Sequence, residues 1–227
     1  LSDRRVIDYA PWKWQPLLQL VILSKRPFTS GAAYKSIWNE EKGESPLMTI
    51  TRDQTEKLAH AMKARYGDDV MVDFCMRYGS PSTKSKVRAL TEAGCTRILF
   101  FPLYPQYSAS TMATAYDKAF EAMKKMRWQP AVRTMPAYHD DPVYIDALAA
   151  DLGRQLDALD FTPEVLLLSF HGMPQRTLDL GDPYHCHCHK TARLLEARMA
   201  RPDLRFRISF QSRFGPAKWL EPATDTV

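Results

Sequence analysis

Two periods of apolar spacing alternate along the chain, and the switches between them outline its elements. Val165-Leu166-Leu167-Leu168-Ser169-Phe170 is an apolar run that ends in His171, and Gly172 and Pro174 then stop it. A run of this length between turn residues predicts a fully buried strand of a parallel sheet. Val70–Met76, Ile98–Leu103 and Phe206–Phe210 read as further strands, and residues 131–135 as a short one. Helical spacing separates them. Residues 11–24 and 31–41 predict two helices near the start, the second with Tyr34, Ile37 and Trp38 on one side. Glu44–Leu47 reads as a turn. Thr51 and Gln54 have capping-box spacing and predict a helix start, with Leu58 and Met62 continuing its apolar face. Ser80 with Pro81 predicts an N-cap and first-turn pair for a helix through Val87 and Leu90 that stops near Gly94.

The second half repeats the alternation. A long helix is expected over 111–127, before Trp128-Gln129-Pro130. Residues 138–142 form a linker by composition, and the next helix places Tyr144, Leu148, Leu152, Leu156 and Leu159 on one stripe. Asp182-Pro183 predicts one more helix start. Strand and helix alternating in this way argue for βαβ units and mainly parallel sheets, an α/β class. The linker divides the chain into two similar α/β halves, expected at 1–135 and 136–227.

The unusual polar groups fall after the strands. Arg77 and Tyr78 follow one, Tyr104 to Thr111 a second, His171 a third, and Gln211-Ser212-Arg213 a fourth. In open α/β sheets the carboxyl edge is where ligands bind. If the halves face one another, these groups line a cleft carrying aromatic rings (Tyr78, Tyr104, Tyr107), hydroxyls (Ser108, Ser110, Thr111), a cation (Arg77) and one imidazole. No glycine-rich phosphate fingerprint or P-loop is present, which argues against a dinucleotide or ATP. A flat apolar ligand with carboxylates fits better, its rings stacking on aromatics and its carboxylates pairing with Arg.

Composition narrows the partners. The chain has 227 residues, 45% of them hydrophobic, and a net charge of +5 without a basic block, so nucleic acid is not expected. Its four cysteines make no secreted-type framework; Cys75 and Cys95 read as core hydrophobes, and a reducing cytosol is the default. The apolar run Leu17–Leu23 is far shorter than the roughly 20 residues of a membrane span. An apolar lip touching a membrane surface is the sharper reading of residues 11–24, beside plain packing on a sheet. A start at Leu1 rather than Met, and an end at Asp225-Thr226-Val227 with no closing element, suggest a piece of a longer chain.

Several stretches carry a resemblance. Phe101-Pro102-Leu103-Tyr104-Pro105-Gln106-Tyr107-Ser108-Ala109-Ser110-Thr111 and Ser169-Phe170-His171-Gly172-Met173-Pro174 are similar to ferrochelatase motifs of bacterial type. So are Gly181-Asp182-Pro183-Tyr184, Met76-Arg77-Tyr78-Gly79, Ser45-Pro46-Leu47 and Phe210-Gln211-Ser212-Arg213-Phe214-Gly215. The resemblance covers nearly the whole chain. It implies two Rossmann-like domains, here lacking the family's first strand and the C-terminal part of the second domain, with a porphyrin bound between them. It implies insertion of Fe2+ into protoporphyrin IX to form protohaem. By position, His171 matches the active-site histidine, a proton acceptor or iron ligand. Arg77, Tyr78, Tyr104 and Ser108 match cleft residues, with Tyr107 and Ser110 beside them, and Ser45 a position near the macrocycle's edge. The glutamate that faces the histidine in the family lies in the absent C-terminal part. Some members hold an iron–sulfur cluster, and one of its cysteine positions is Ala109 here, so no cluster and no tightly bound cofactor is expected. The implied location is cytoplasmic, with peripheral contact at the inner membrane. A coproporphyrin-using chelatase and a non-catalytic porphyrin-binding module are the alternatives; a generic nucleotide-binding domain is third.

His185-Cys186-His187-Cys188-His189 invites a metal reading. On a helix beginning at Asp182-Pro183, however, Cys188 shares the apolar face of Ala192, Leu195 and Met199. His185 and His189 share one side, and His187 lies almost opposite His185. The five side chains cannot converge on one ion.

Overall fold

The computed structural model describes residues 2–7, 10–213 and 215–227. Its contacts divide the chain into two compact units, one comprising Leu1–Phe100 with Thr114–Thr134, the other Phe101–Ala113 with Met135–Val227.

The first unit opens with helix α1 (Pro11–Leu17), one π-helical turn (Leu18–Ile22) and α2 (Leu23–Lys35). The expected helix over 31–41 is therefore the end of α2, and residues 36–44 form turns with an Asn39–Glu44 bridge. Helix α3 (Pro46–Tyr66) starts five residues before Thr51. Ser45 Oγ accepts the Met48 N–H at 3.3 Å and Pro46 fills the first helical position. Thr51 instead turns its hydroxyl back to the Leu47 carbonyl at 2.7 Å, a mid-helix habit rather than a cap. Val70–Met76 forms no ladder among the described residues; only Met76 bridges to Ser82. Apolar content alone does not make a strand when no neighbour meets its amides. Cys75 and Cys95 are only partly buried, so neither is a core residue.

Helix α4 (Thr83–Glu92) is capped by Ser82, which accepts the Ser85 N–H at 3.1 Å; Ser80 and Pro81 lie ahead of it. Gly94, at φ +91°, closes it where expected. Strand β1 (Arg97–Phe100) pairs in parallel with β2 (Ala131–Thr134), and a π-helical turn (Ala109–Ala113) leads into α5 (Thr114–Lys124). Val87, Ile98, Ala122 and Met123 form the core between α4, α5 and this sheet.

In the second unit, Asp141 caps α6 (Pro142–Asp157), accepting the Val143 and Tyr144 N–H groups. Strand β3 (Val165–His171) lies parallel to β4 (Arg205–Gln211), in register from Val165–Arg205 to His171–Gln211. Short helix α7 (Gln175–Asp179) and α8 (Tyr184–Met199) connect them, and α8 packs on α6 and β4. Both sheets are parallel and interleaved with helices, so the α/β reading holds. The expectation of a fully buried β3 does not. Leu166, Leu168 and Phe170 are half-buried on the packed face, while Val165 and Leu167 are about 40% exposed on the other. Among the described residues this sheet has two strands, and one of its faces is left open.

Candidate functional site

His171 is the last residue of β3 and is exposed. Side chains alternate along a strand, so it shares the open face with Val165, Leu167 and Ser169. Its backbone is fixed from several sides. Gly172 N–H donates to the Gln211 carbonyl at 2.7 Å, Leu220 N–H to the Met173 carbonyl at 2.9 Å, and Gln175 N–H to the Lys218 carbonyl at 2.9 Å. A Cβ on Gly172 would stand 2.6 Å from the Gln211 carbonyl oxygen and 3.3 Å from the Trp219 ring, so only glycine permits this approach. Tyr184, the first residue of α8, brings its phenol to the His171 main chain. Burial, then the adjacent Cys188, keep that phenol protonated well above its ordinary range.

The segment with the two candidate tyrosines is fastened to the same helix. Gln106 Nε2 donates to Thr191 Oγ1 at 3.0 Å, and Tyr107 N–H to His187 Nδ1 at 3.1 Å. Asp182 Oδ2 accepts from both the Ala109 N–H (2.8 Å) and Ser108 Oγ (3.0 Å), while Oδ1 accepts the Tyr184 N–H (3.0 Å). One carboxylate therefore starts α8 and holds residues 108–109 against it. The charge-assisted bonds are the strong members of this set. Tyr104 is partly exposed and Tyr107 half-buried. Ser108 is fully buried and Ser110 nearly so; the Ser108 and Ser110 hydroxyls meet at 3.0 Å, and Ser110 Oγ also approaches Met173 Sδ at 3.7 Å. These two hydroxyls face the interior rather than a ligand surface, because Asp182 and the loop's own amides need them there. What they offer a ligand is a fixed loop.

Arg77, Tyr78 and Ser45 belong to the first unit. The Arg77 guanidinium lies 4.3 Å from the Tyr78 ring centroid and donates to Thr114 Oγ1. Tyr78 donates to Asp3 Oδ2 at 2.8 Å. Partial burial would raise the Asp3 carboxyl, but that bond, the Arg5 amide and the nearby Arg77 and Lys118 charges hold it below the ordinary carboxylate range. Ser45 is the cap of α3 described above.

The histidine-rich helix start separates into three parts. Cys188 is wholly buried beside Phe210 and Leu220, and burial pushes its thiol up to about 12. His185 and His189 meet through Nε2 atoms 3.1 Å apart over the Phe210 ring. Among the described residues no third donor joins them, and the Arg193 charge acts on His189. His187 turns the other way and stacks on His139. A cavity of about 420 Å³ lies beside β4, lined by Arg213, Lys218, Trp219, Leu220 and Glu221 among others; it includes Arg213 of the polar groups expected after the strands, but not His171, Arg77, Tyr78 or the residues of 104–111. Phe214 of the expected Phe210–Gly215 motif lies outside the described residues.

The Asp182 clamp and the Tyr184 contact with His171 were not anticipated from sequence. Gly181-Asp182-Pro183-Tyr184 signalled a helix start, and nothing local in it points to partners about 73 residues earlier.

The ferrochelatase family model matches residues 1–227. The ferrochelatase of Rhodobacter capsulatus is 58% identical over 225 residues, 99% of this chain and 64% of its own length. Those of Agrobacterium fabrum and Rhizobium meliloti are 55% and 54% identical, with 99% and 100% of this chain and 65% and 66% of theirs aligned. The chain thus spans just under two thirds of the length of these relatives.

Proposed function

The chain belongs to the ferrochelatase family, and from that premise we propose that it forms part of a lyase inserting Fe2+ into protoporphyrin IX to make protohaem. The observation that carries the reading is His171 itself. It is an exposed imidazole on the open face at the carboxyl end of a parallel strand, its main chain held by Gly172, Gln211 and Tyr184.

Metallation needs two pyrrole N–H protons to leave and Fe2+ to shed water. A bent macrocycle exposes nitrogen lone pairs that a planar one hides, so a site that holds the bent ring favours the transition state. A neutral imidazole can take a pyrrole proton or ligate Fe2+, and His171 is proposed for that place. Tyr104 and Tyr107 supply aromatic faces, with Ser108 and Ser110 as buried supports beneath them. Arg77, already on the Tyr78 ring, supplies a cation for a propionate, and Ser45 is kept as a residue near the macrocycle's edge. The substrates are then porphyrin and ferrous iron, with no tightly bound cofactor. The two Rossmann-like domains are proposed at 1–135 and 136–227.

No helix among the described residues is long and apolar enough to cross a membrane. Trp12, Leu20 and Phe28 on α1, the π turn and α2 are each more than 70% exposed. We propose that this apolar surface gives peripheral contact with the inner membrane from the cytoplasmic side.

The test is anaerobic single-turnover absorbance of protoporphyrin IX with Fe2+, wild type against His171→Ala. Porphyrin binding is expected to persist in the variant while insertion slows by about 10²–10⁴-fold, the range for a lost acid–base group. A variant that inserts iron at the wild-type rate removes His171 from the reaction. Coproporphyrin III in parallel identifies which ring is preferred.

A further inference from the structure

The anchor of Tyr107 differs in kind from the others on its segment. Tyr107 N–H donates to His187 Nδ1, so this nitrogen keeps its lone pair and the ring's proton sits on Nε2. The ring lies flat on His139, centroids 3.5 Å and planes 8° apart. His139 is buried, its Nδ1 lacks a hydrogen-bond partner, and Asp140 Oδ1 is 3.7 Å away. Thr191 Oγ1 donates to the His139 carbonyl at 2.8 Å and itself accepts from Gln106 Nε2 at 3.0 Å. The stack, Thr191 and Asp182 thus hold four consecutive residues, 106–109, on α8. Of the anchoring side chains only the imidazole changes charge between pH 5 and 8.

We propose that His187 is a positioning residue: neutral, it holds the Tyr107 main chain in place, and protonated, it releases the tyrosine-bearing segment. A proton arriving on Nδ1 from solvent would face the Tyr107 N–H, donor against donor, at 3.1 Å. A charge on His187 also lies directly on the His139 ring. The groups facing it are His139 and Asp140 from the connecting segment, Asp182 ahead of the helix and Lys190 within it. Burial, then the His139 and Lys190 charges, lower the His187 pKa; Asp140 and Asp182 oppose them without reversing the direction. Release therefore belongs to mildly acid pH, below the ordinary histidine value of about 6.5. The consequence for porphyrin rests on the functional reading above; the hydrogen bond and its titration do not.

Hydrogen exchange of the Tyr107 amide in the ligand-free chain, corrected for intrinsic rate, tests the inference between pH 7.5 and 5. Wild-type protection is expected to fall on acidification by about 3- to 10-fold, the worth of one hydrogen bond. His187→Asn places an amide oxygen where Nδ1 stood and does not titrate, so its protection should be retained at pH 7.5 and fall with acid less than the wild type's. His187→Phe keeps a stacked ring without the acceptor and should lose protection at both ends. Wild-type protection that ignores pH, or that matches His187→Phe, overturns the proposal. Protoporphyrin affinity, by fluorescence, should weaken with acid more in wild type than in His187→Asn. Equal pH slopes there would deny His187 its part in holding the ligand. A wild type that binds no porphyrin at any pH refutes the functional reading instead, and the exchange data still decide the role of His187.

Discussion

Gly172 shows how much of the candidate site depends on one missing methyl group. Its amide reaches the Gln211 carbonyl at 2.7 Å, and the space for a Cβ is already occupied by that carbonyl and by Trp219. Gly172→Ala must push β3 and β4 apart at the residue next to His171. Crowding of this kind costs about 1–3 kcal/mol. Urea unfolding should show the loss as a lower midpoint at unchanged slope, and an unchanged midpoint would mean that the strand ends take up the added methyl group without cost. The glycine itself was legible, because His171-Gly172-Met173-Pro174 ends an apolar run in the sequence. Its reason was not: the crowding atom belongs to a strand about 40 residues further on. Asp182 and His187 were opaque for the same cause. Each was readable as a helix residue, but its function lies in partners on the 106–109 segment.

Elements were most legible where a local rule and a tertiary neighbour agree. Gly94 marked a helix end that the structure keeps, and the runs at 165–171 and 206–210 became the paired β3 and β4. Val70–Met76 is as predominantly apolar as β3 yet forms no ladder among the described residues, since strand formation depends on a neighbour that composition does not reveal. At α3 two local signals competed. Ser45-Pro46 and Thr51-Gln54 both offer a start, and the earlier one wins because it adds a turn and a proline with φ already helical. That outcome gives Ser45 a role independent of any ligand. Ser45→Ala should cost about 1 kcal/mol in chemical denaturation, and Ser45→Asp, which caps equally well, should restore most of it. If Ser45→Asp is as unstable as Ser45→Ala, the hydroxyl is serving something other than the Met48 amide.

Across the whole molecule, the histidines are unevenly shared between the two units. His139, His185, His187 and His189 all lie in the second, and burial lowers the pKa of each. Two of them stack, and the other two meet nitrogen to nitrogen, so charging both members of either pair adds repulsion to desolvation. The unfolded chain has no such penalty, and its histidines take protons near pH 6.5. Between that value and the lower folded ones the unfolded state binds more protons, so stability falls with falling pH. The contribution is present in full above about pH 6.5 and is lost as pH drops through the folded values, ahead of the carboxylates near pH 4. The second unit should therefore be the first to open in acid. Peptide-level hydrogen exchange at pH 7.5 and 5.5 should show protection falling in β3, β4 and α8 more than in β1, β2 and α4. An equal loss in both units, or none, would mean that the buried imidazoles find their protons without disturbing the packing around Phe210.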